Sequence, residues 1–337
     1  MRAIGYQTSG PIAADASLVD IELPKPQATG RDLLVAVRAV SVNPVDTKVR
    51  VRAAPPVGDW KVLGYDAAGV VEAVGPEVQG FKPGDEVYYA GAIGRSGTNA
   101  EFHLVDARIV GHKPRSLSFA EAAAVPLTAI TAWETLFDRL EVKRPVAGQA
   151  GVLLVIGGAG GVASMAVQLA RHLTDLTVVA TASRPETREW AKALGAHHVV
   201  DHARPLAAEV AALGLGAPSF VFSTTATDQH LAAIVEVISP QGRFAVIDDP
   251  KTLDVTPFKG KSVSIHWESM FTRSTFQTAD MDEQGTLLDE VGRLIDAGTL
   301  RTTLGESYGT INAANLKRAH ALLESGKAKG KIVLEGF

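Results

Sequence analysis

A glycine-rich segment in the middle of the chain has the spacing of a dinucleotide-binding loop. Gly158, Gly160 and Ala163 follow the G-x-G-x-x-G/A pattern directly after the apolar run Val152–Ile156. Glycine permits the tight turn after a strand and lets a diphosphate approach the backbone, while the following helix presents free N–H groups to the phosphates. An ordinary glycine-rich turn is the alternative, but the buried strand before it and the helical pattern after it favour a cofactor loop. The predicted phosphate-contacting residues are Gly158, Gly160, Gly161 and Val162.

The residues after the next predicted strand bear on the choice of cofactor. An NAD-selective site carries an acidic residue about twenty positions after the glycines, where it binds the ribose 2′-hydroxyl. In this chain Ser183 and Arg184 follow the strand, Arg188 stands one turn later, and no acidic residue ends the strand. A hydroxyl and a guanidinium suit a 2′-phosphate, so we predict NADPH as the cofactor. The alternative is that both arginines are solvated surface residues at a helix start.

Composition excludes several classes of function. The chain has 337 residues, 46% of them hydrophobic and 21% charged, with a formal net charge of -4. It therefore lacks the basic field of proteins that bind nucleic acid or anionic lipid. It has no cysteine, which excludes disulfides, thiolate metal ligands and a cysteine nucleophile. It also lacks an apolar run long enough to span a membrane and a leader-like start, so we expect a soluble, cytoplasmic protein.

Two patterns of secondary structure divide the chain. The first third has short strands such as Leu33–Val42 and Glu86–Ala90, separated by Gly, Pro and Asp, which predicts a compact barrel-like domain. From Gly151 onwards strands and helices alternate, which predicts a doubly wound parallel sheet in an α/β protein. We predict one domain at 1–125, completed by 299–337, and a cofactor-binding domain at 126–298.

Several polar residues predict where helices begin. Ser118 and Glu121 form a capping-box pair ahead of a helical stretch that runs to Leu140 and is interrupted by Pro126. Asp228 is predicted to cap a helix that begins near His230, and Asn312 is predicted to cap a helix near the end of the chain.

Further segments resemble a known family. Together with the glycine loop they are similar to the medium-chain dehydrogenase/reductase superfamily over nearly the whole chain, most of all to its quinone oxidoreductase (zeta-crystallin-like) and zinc-type alcohol dehydrogenase-like branch. The resemblance implies a GroES-like β-barrel catalytic domain, a Rossmann domain and a homodimer. The segments that carry it are Val42–Lys48, Leu63–Val71, Gly75–Val78, Phe81–Val87 and Ala124–Ala129.

The resemblance also bears on zinc. Zinc-dependent members of the family hold the catalytic metal with a cysteine and a histidine, and the corresponding positions here are Asn43 and Tyr65. Asparagine and tyrosine are poor zinc ligands beside a thiolate and an imidazole. The four structural cysteines of those enzymes are missing as well. We therefore predict that the protein works without a metal.

Without a Lewis acid, reduction of an electrophilic acceptor is favoured over oxidation of an alcohol. We predict a reductase that transfers hydride from NADPH to a quinone or an α,β-unsaturated carbonyl compound. Asn43 and Tyr65 are the predicted catalytic donors to the developing negative charge, and either Tyr65 or water would deliver the proton. The alternatives are that Asn43 is a backbone-bonding turn residue before Pro44 and that Tyr65 is a packed aromatic residue.

The remaining candidates rest partly on the resemblance. Thr128 corresponds to a threonine near the nicotinamide, although a helix hydroxyl that bonds the preceding turn is the alternative. Asp46 and Asp66 match motif positions and are interpreted as structural hydrogen-bonding groups. Trp267, Met270 and Phe271 are candidates for an apolar pocket wall, or else for packing at a sheet edge or dimer interface.

Two other functions stay open at this point. One is a metal-free alcohol or carbonyl oxidoreductase, and the other is a non-catalytic NADPH-binding protein of crystallin-like or regulatory type. The glycine loop would be present in each.

Overall fold

The computed structural model describes residues 1–337, and the chain folds into two compact units. The terminal unit comprises Met1–Ile130 and Phe271–Phe337, and the central unit comprises Thr131–Met270. The predicted divisions after residues 125 and 298 differ from these bounds, and the domain assignment stays a prediction. None of the helices has the length and apolar composition needed to cross a bilayer.

Strands predominate in the first third of the chain, and strands and helices alternate from Val152 onwards. The strands are β1 (Arg2–Tyr6), β2 (Val19–Glu22), β3 (Asp32–Val42), β4 (Lys61–Val62), β5 (Asp66–Val74), β6 (Glu86–Ala90), β7 (Phe102–Asp106), β8 (Val110–His112), β9 (Val152–Ile156), β10 (Thr177–Thr181), β11 (His198–Val200), β12 (Phe220–Ser223), β13 (Arg243–Val246), β14 (Ser264–Trp267), β15 (Leu304–Ser307) and β16 (Lys331–Glu335). The α-helices are α1 (Pro44–Arg52), α2 (Phe119–Ala123), α3 (Pro126–Trp133), α4 (Gly161–Leu173), α5 (Pro185–Ala193), α6 (Leu206–Ala211), α7 (Thr227–Val237), α8 (Thr272–Phe276), α9 (Glu283–Asp296) and α10 (Ala313–Glu324).

The central unit is built on a six-stranded parallel sheet. Its strand order is β11-β10-β9-β12-β13-β14, which is the doubly wound order with β9 as the first strand. Every residue of β9 is buried, as expected for a strand covered on both faces. The α/β prediction with a Rossmann-type sheet is confirmed.

The terminal unit is mostly antiparallel. A larger sheet has the order β15-β16-β3-β5-β6-β8, with β7 also paired to β3, and a smaller sheet has the order β2-β1-β4. The long strand β3 is the centre of the larger sheet because it pairs with β5, β7 and β16. The predicted GroES-like fold of this region is confirmed.

Helix α9 belongs to the terminal unit and packs against β8. A Cβ atom at Gly111 of β8 would lie 2.6 Å from Leu288 Cβ, and one at Gly285 would lie 2.8 Å from the Arg108 carbonyl oxygen. This close approach explains why the compact unit begins before residue 299.

One local prediction needs correction. Asp228 does not cap α7, because the helix begins at Thr227 and Ala226 is its N-cap residue. The helical stretch after Ser118 is interrupted at Pro126, as predicted: Pro126 starts α3, and a π-helical turn follows over Glu134–Arg139. The capping box of Ser118 and Glu121 and the cap at Asn312 are both present.

Candidate functional site

The glycine loop after β9 leaves no room for side chains. Gly157 has a φ of +84°, and a Cβ atom there would lie 2.6 Å from Thr224 Oγ1. A Cβ atom at Gly158 would lie 2.8 Å from Ala180 Cβ and 3.0 Å from the Thr181 carbonyl oxygen. Side chains are therefore excluded at both positions, and the backbone itself forms the surface of the loop.

The amino end of α4 offers backbone N–H groups to a ligand. Gly160 is the N-cap residue and no side chain caps the helix, although helix starts normally satisfy these N–H groups. Ala163 is fully buried, so the third position of the motif serves close packing. The loop and the start of the helix, with Gly161 and Val162, fit the diphosphate of a dinucleotide.

The end of β10 is tied to the loop. Gly157 N–H donates to Thr181 Oγ1 at 3.1 Å, and Gly158 N–H donates to the Thr181 carbonyl oxygen at 2.9 Å. Ser183, the next polar residue after the strand, is partly exposed. The segment predicted to meet the 2′-phosphate therefore starts beside the predicted diphosphate loop.

The two predicted arginines differ in their surroundings. Arg184 is partly exposed and its Nε lies 3.2 Å from Glu186 Oε1. Arg188 donates to the carbonyl oxygens of Ala182 and Val199, at 3.2 and 3.0 Å. Arg188 thus joins the ends of β10 and β11, so it is not a freely solvated surface residue.

Two histidines that the sequence analysis did not select lie at the same end of the sheet. His202 Nδ1 is 3.2 Å from Thr181 Oγ1, and the ring centroids of His202 and His230 are 5.9 Å apart. No local motif indicates them, because His202 follows β11 and His230 lies in α7 after β12, and these two strands are not adjacent in the sheet.

In the terminal unit, Asn43 is almost completely buried, with 1% exposure. Its side-chain N–H donates to Asp66 Oδ2 at 2.8 Å, and its Oδ1 accepts from the Lys331 ammonium group. A carboxylate only accepts and an ammonium only donates, so these two partners determine the orientation of the amide. One N–H of the Asn43 side chain remains after the bond to Asp66.

Asp66 is the centre of a buried network. Its Oδ2 accepts from Ser41 Oγ at 2.9 Å and from Lys331 Nζ at 2.9 Å, besides Asn43, and its Oδ1 accepts from Leu127 N–H at 2.7 Å. The side chains of Asp66 and Lys331 are 0% and 3% exposed. The network connects β3, β5, β16 and the start of α3. The interpretation of Asp66 as a hydrogen-bonding group agrees with this geometry.

Asp46 lies next to this network. It accepts from the backbone N–H groups of Asn43 at 2.7 Å and Gly64 at 2.9 Å. Burial raises the pKa of Asp46 to about 7, against the lowering effect of these N–H groups and of Lys331. Its role is to join the start of α1 to the segment before Tyr65.

Tyr65 is 2% exposed and meets the ring of Phe271 edge-on, at a centroid distance of 5.2 Å. Burial, followed by the charge of Asp46, raises the pKa of Tyr65 above its usual range. The phenol therefore stays protonated over the whole physiological range and acts as a hydrogen-bond donor.

The other candidates lie in mixed surroundings. Thr128 is 2% exposed and its hydroxyl donates to the Val125 carbonyl oxygen at 3.0 Å, the contact expected of a helix hydroxyl. Met270 and Phe271 are 3% and 8% exposed, whereas Trp267 is 55% exposed. Trp267 is therefore largely exposed, whereas the other two candidates for the pocket wall are buried.

Lys331 is the main polar residue of the network that sequence reasoning missed. It lies in the apolar segment Lys331–Leu334, where a single basic residue at the start of a strand reads as a surface group. Its burial follows from long-range pairing, because β16 pairs with β3 in the middle of the larger sheet. No group of three or more His, Asp or Glu side chains has the arrangement of a metal site.

Comparisons with known proteins agree with this architecture. Residues 29–133 match the family model of the alcohol dehydrogenase GroES-like domain, and residues 194–334 match that of the zinc-binding dehydrogenase. A zinc-type alcohol dehydrogenase-like protein of Staphylococcus aureus is 37% identical over 99% of both chains. A 2-methylene-furan-3-one reductase of Solanum lycopersicum is 30% identical over 99% of this chain and 79% of its own.

A solved structure gives a closer match. A protein of Rhizobium etli, described as a candidate zinc-dependent alcohol dehydrogenase, has 67% sequence identity and a TM-score of 0.98, covering 100% of this chain and 98% of its own. A human relative named an NAD(P)H oxidoreductase is 28% identical over 90% of this chain and 81% of its own, which supports an oxidoreductase with a nicotinamide cofactor. On the fold, the glycine loop and these similarities, the chain belongs to the medium-chain dehydrogenase/reductase superfamily.

Proposed function

We propose that the protein is an NADPH-dependent reductase that transfers hydride to a quinone or an α,β-unsaturated carbonyl compound without a metal. The observation that carries the proposal is the glycine loop of the central unit, where side chains are excluded at Gly157 and Gly158 and the start of α4 has no side-chain cap. In this proposal residues 126–298 bind the cofactor, and residues 1–125 with 299–337 provide the donors to the acceptor.

The central unit supplies the groups that hold the cofactor. A bound reduced nicotinamide dinucleotide supplies the hydride. The backbone of Gly158, Gly160, Gly161 and Val162 holds the diphosphate, and Ser183 with Arg184 holds the 2′-phosphate. Arg188 contributes by joining the strand ends below this segment. Thr128 is assigned next to the nicotinamide on the family resemblance.

The terminal unit supplies hydrogen-bond donors for the developing negative charge on the acceptor oxygen. The amide of Asn43 is oriented by Asp66 and Lys331. The ammonium group on its oxygen polarises the amide, which strengthens the remaining N–H as a donor. The neutral phenol of Tyr65 provides a second donor, and because its raised pKa makes it a poor acid, water supplies the proton.

The donor set at the position of the family's zinc does not fit the metal. The oxygen of Asn43 already accepts from the Lys331 ammonium group, so a cation would have to displace another buried cation. Tyr65 offers a phenol where zinc prefers a thiolate or an imidazole, so it is a poor ligand for the metal. These contacts support a reaction in which protein donors replace the Lewis acid.

The lack of a Lewis acid also bears on the class of acceptor. Without a Lewis acid, alcohol oxidation loses its main source of transition-state stabilisation, whereas conjugated carbonyl compounds already accept hydride readily. The name of the tomato relative describes a reductase of such a compound. Met270 and Phe271 are buried apolar residues that suit a flat acceptor.

A panel of acceptors tests the proposal. Purified protein with NADPH is offered 1,2-naphthoquinone, small enones, and simple aldehydes and ketones, and NADPH consumption is followed by its absorbance. We expect turnover of the quinone or the enones above that of the simple carbonyl compounds. An Asn43→Ala variant should lower kcat, while Asn315→Ala, at a partly exposed position in the first turn of α10, serves as the control.

The alternatives predict other results in the same panel. A metal-free alcohol dehydrogenase would reduce simple aldehydes and ketones best and would oxidise alcohols with NADP+. A non-catalytic binder would bind NADPH and turn over none of the compounds. Either result would contradict the proposal.

A further inference from the structure

His202 and His230 lie at the same end of the sheet as the segment to which the proposed function assigns the 2′-phosphate, and His202 Nδ1 is 3.2 Å from Thr181 Oγ1 at the end of β10. His202 follows β11, which pairs Val200 with Thr181 at the end of β10. His230 lies in the first half of α7, which follows β12. The ring centroids are 5.9 Å apart and both side chains are partly exposed. A ligand at the carboxyl ends of these strands can therefore reach both rings.

The Thr181 hydroxyl links His202 to the glycine loop. Its oxygen accepts from Gly157 N–H at 3.1 Å and lies 3.2 Å from His202 Nδ1. The Thr181 hydroxyl can donate to Nδ1 of His202 or accept from it, according to the tautomer of the imidazole. The same side chain thus positions both the loop and the imidazole ring.

The charges around the pair are largely committed to one another. Arg204 lies 3.9 Å from Asp201 and 3.6 Å from Glu209, and Arg184 pairs with Glu186. Burial and then His202 lower the pKa of His230, and Asp228 acts in the opposite direction. The titratable and charged groups on the elements around the two rings are Arg184, Arg188, Asp201, Arg204, Glu209 and Asp228.

We propose that His202 and His230 form a proton-binding pair that recognises the 2′-phosphate of the cofactor and makes its recognition depend on pH. Without a ligand, the charge of His202 opposes protonation of His230. A phosphate monoester dianion next to the rings reverses this, because an imidazolium donates a charge-assisted hydrogen bond to it. Binding of NADPH then takes up a proton from the solvent, whereas NADH, which lacks the phosphate, takes up none. The inference rests on the proposed choice of NADPH.

Linkage gives the sign of the effect. A ligand that binds together with one proton loses about tenfold in affinity for each pH unit above the pKa of the free pair. The preference for NADPH over NADH is therefore greatest in mildly acidic solution and decreases as the pH rises. The phosphate group itself has a second pKa of about 6 and weakens binding as the pH falls, so its own titration has the opposite sign.

Cofactor binding at different pH values tests the inference. Dissociation constants for NADPH and NADH are measured from pH 6.5 to 8.5 for the wild type, His202→Gln and His230→Gln. Glutamine keeps hydrogen-bonding capacity but binds no proton in this range. The control is His172→Gln, near the carboxyl end of α4 and about 16 Å along the helix from the glycine loop. Calorimetry in two buffers of different ionisation enthalpy counts the protons taken up.

For the wild type and the control we expect the dissociation constant of NADPH to rise about tenfold or more over this range, with proton uptake on binding. His202→Gln and His230→Gln should show a smaller rise of the dissociation constant and less proton uptake. The affinity for NADH should be independent of pH in all four proteins, and binding of NADH also shows that the variants are folded.

Several results would overturn the inference. In one such result, NADPH binds more tightly than NADH, but its affinity depends on pH equally in all four proteins. The histidines would then have no part in the pH dependence, and the proposed cofactor choice would stand. If His202→Gln lost equal affinity for NADH and NADPH, the ring would contact the adenosine instead of the phosphate. Equal affinity for NADH and NADPH at every pH would contradict the proposed cofactor choice itself.

Discussion

Asp66 in the terminal unit and Gly160 in the central unit both stand where polar groups converge, but their surroundings differ. Asp66 is fully buried and accepts four hydrogen bonds, from Ser41, Asn43, Leu127 and Lys331. Gly160 begins a helix whose first N–H groups receive no side-chain cap. A satisfied network holds donors in one orientation, whereas unsatisfied backbone groups leave a place for a ligand. The comparison separates residues that position from residues that bind.

The largest effect is expected from breaking the buried network. Lys331→Met leaves the carboxylate of Asp66 buried without its cation, which costs about 3–5 kcal/mol of unfolding free energy. Urea unfolding measures the loss. The matched control is Lys82→Met, because Lys82 pairs with Asp85 at a side-chain exposure of 80% and such a pair is worth about 0–1 kcal/mol. Equal losses in the two variants would show that the network does not hold the terminal unit together.

His320 sharpens the comparison, because it is buried in the terminal unit with neither ring nitrogen hydrogen-bonded. Burial, followed by the nearby Arg50, lowers its pKa to about 3 from 6.5. The unfolded chain therefore binds a proton below pH 6.5 that the folded chain refuses, so stability falls as the pH decreases from 6.5 towards 3. This costs about 3 kcal/mol at pH 4.

The variant His320→Leu removes this proton-linked loss. We expect its unfolding free energy to depend less on pH between 6.5 and 4 than that of the wild type. His103, whose ring nitrogens lie 3.1 Å from Tyr89 Oη and 2.9 Å from the Ser96 carbonyl oxygen, also has its pKa lowered by burial, to about 4. Part of the acid sensitivity therefore remains in the variant. An unchanged acid limb in His320→Leu would show that His320 is not responsible for the acid sensitivity.

In the central unit, the next effect is on binding. Gly158→Val places a Cβ atom 2.8 Å from Ala180 Cβ and moves the backbone of the loop, at a cost of about 1–3 kcal/mol. We expect cofactor affinity to fall about tenfold or more. The control Gly260→Val has no atom within 4 Å of its Cβ position and should bind the cofactor normally. Normal binding by Gly158→Val would contradict the role of the loop.

The smallest effect concerns cofactor selection. Arg184→Ala should weaken the binding of NADPH about tenfold and leave the binding of NADH unchanged, because only the 2′-phosphate loses a charge-assisted contact. Arg144→Ala, at a surface position with 68% side-chain exposure, is the control. A loss that is the same for both cofactors would mean that Arg184 supports the segment without contacting the phosphate.

The regular elements of the central unit were largely predictable because each is decided by local pattern. The apolar run of β9, Pro185 at the start of α5 and Gly195 after its end all agree with the structure. The α7 cap was not predictable in this way, since Ala226 adopts a left-handed conformation that its residue type does not indicate. Strand β2 was missed because it alternates between partly exposed and exposed residues.

The candidate site likewise has a part that local sequence predicts and a part that it does not. The glycine loop is contiguous in sequence and carries its own motif, so it could be proposed before the structure. The partners of Asn43 come from β5 and β16, and Lys331 is 288 positions from Asn43 along the chain. The pair of His202 and His230 depends on the order of the strands. Contacts of this kind follow from topology, which a local pattern does not contain.

The central claim is that protein donors around Asn43 and Tyr65 take the place of a metal in hydride transfer. The most direct test measures NADPH consumption with the best acceptor of the panel in protein treated with a strong chelator, with metal content determined by mass spectrometry in the same sample. We predict that the treated protein keeps its full rate while its zinc content is far below one ion per chain. A rate that falls with the zinc content and returns when zinc is added would contradict the claim.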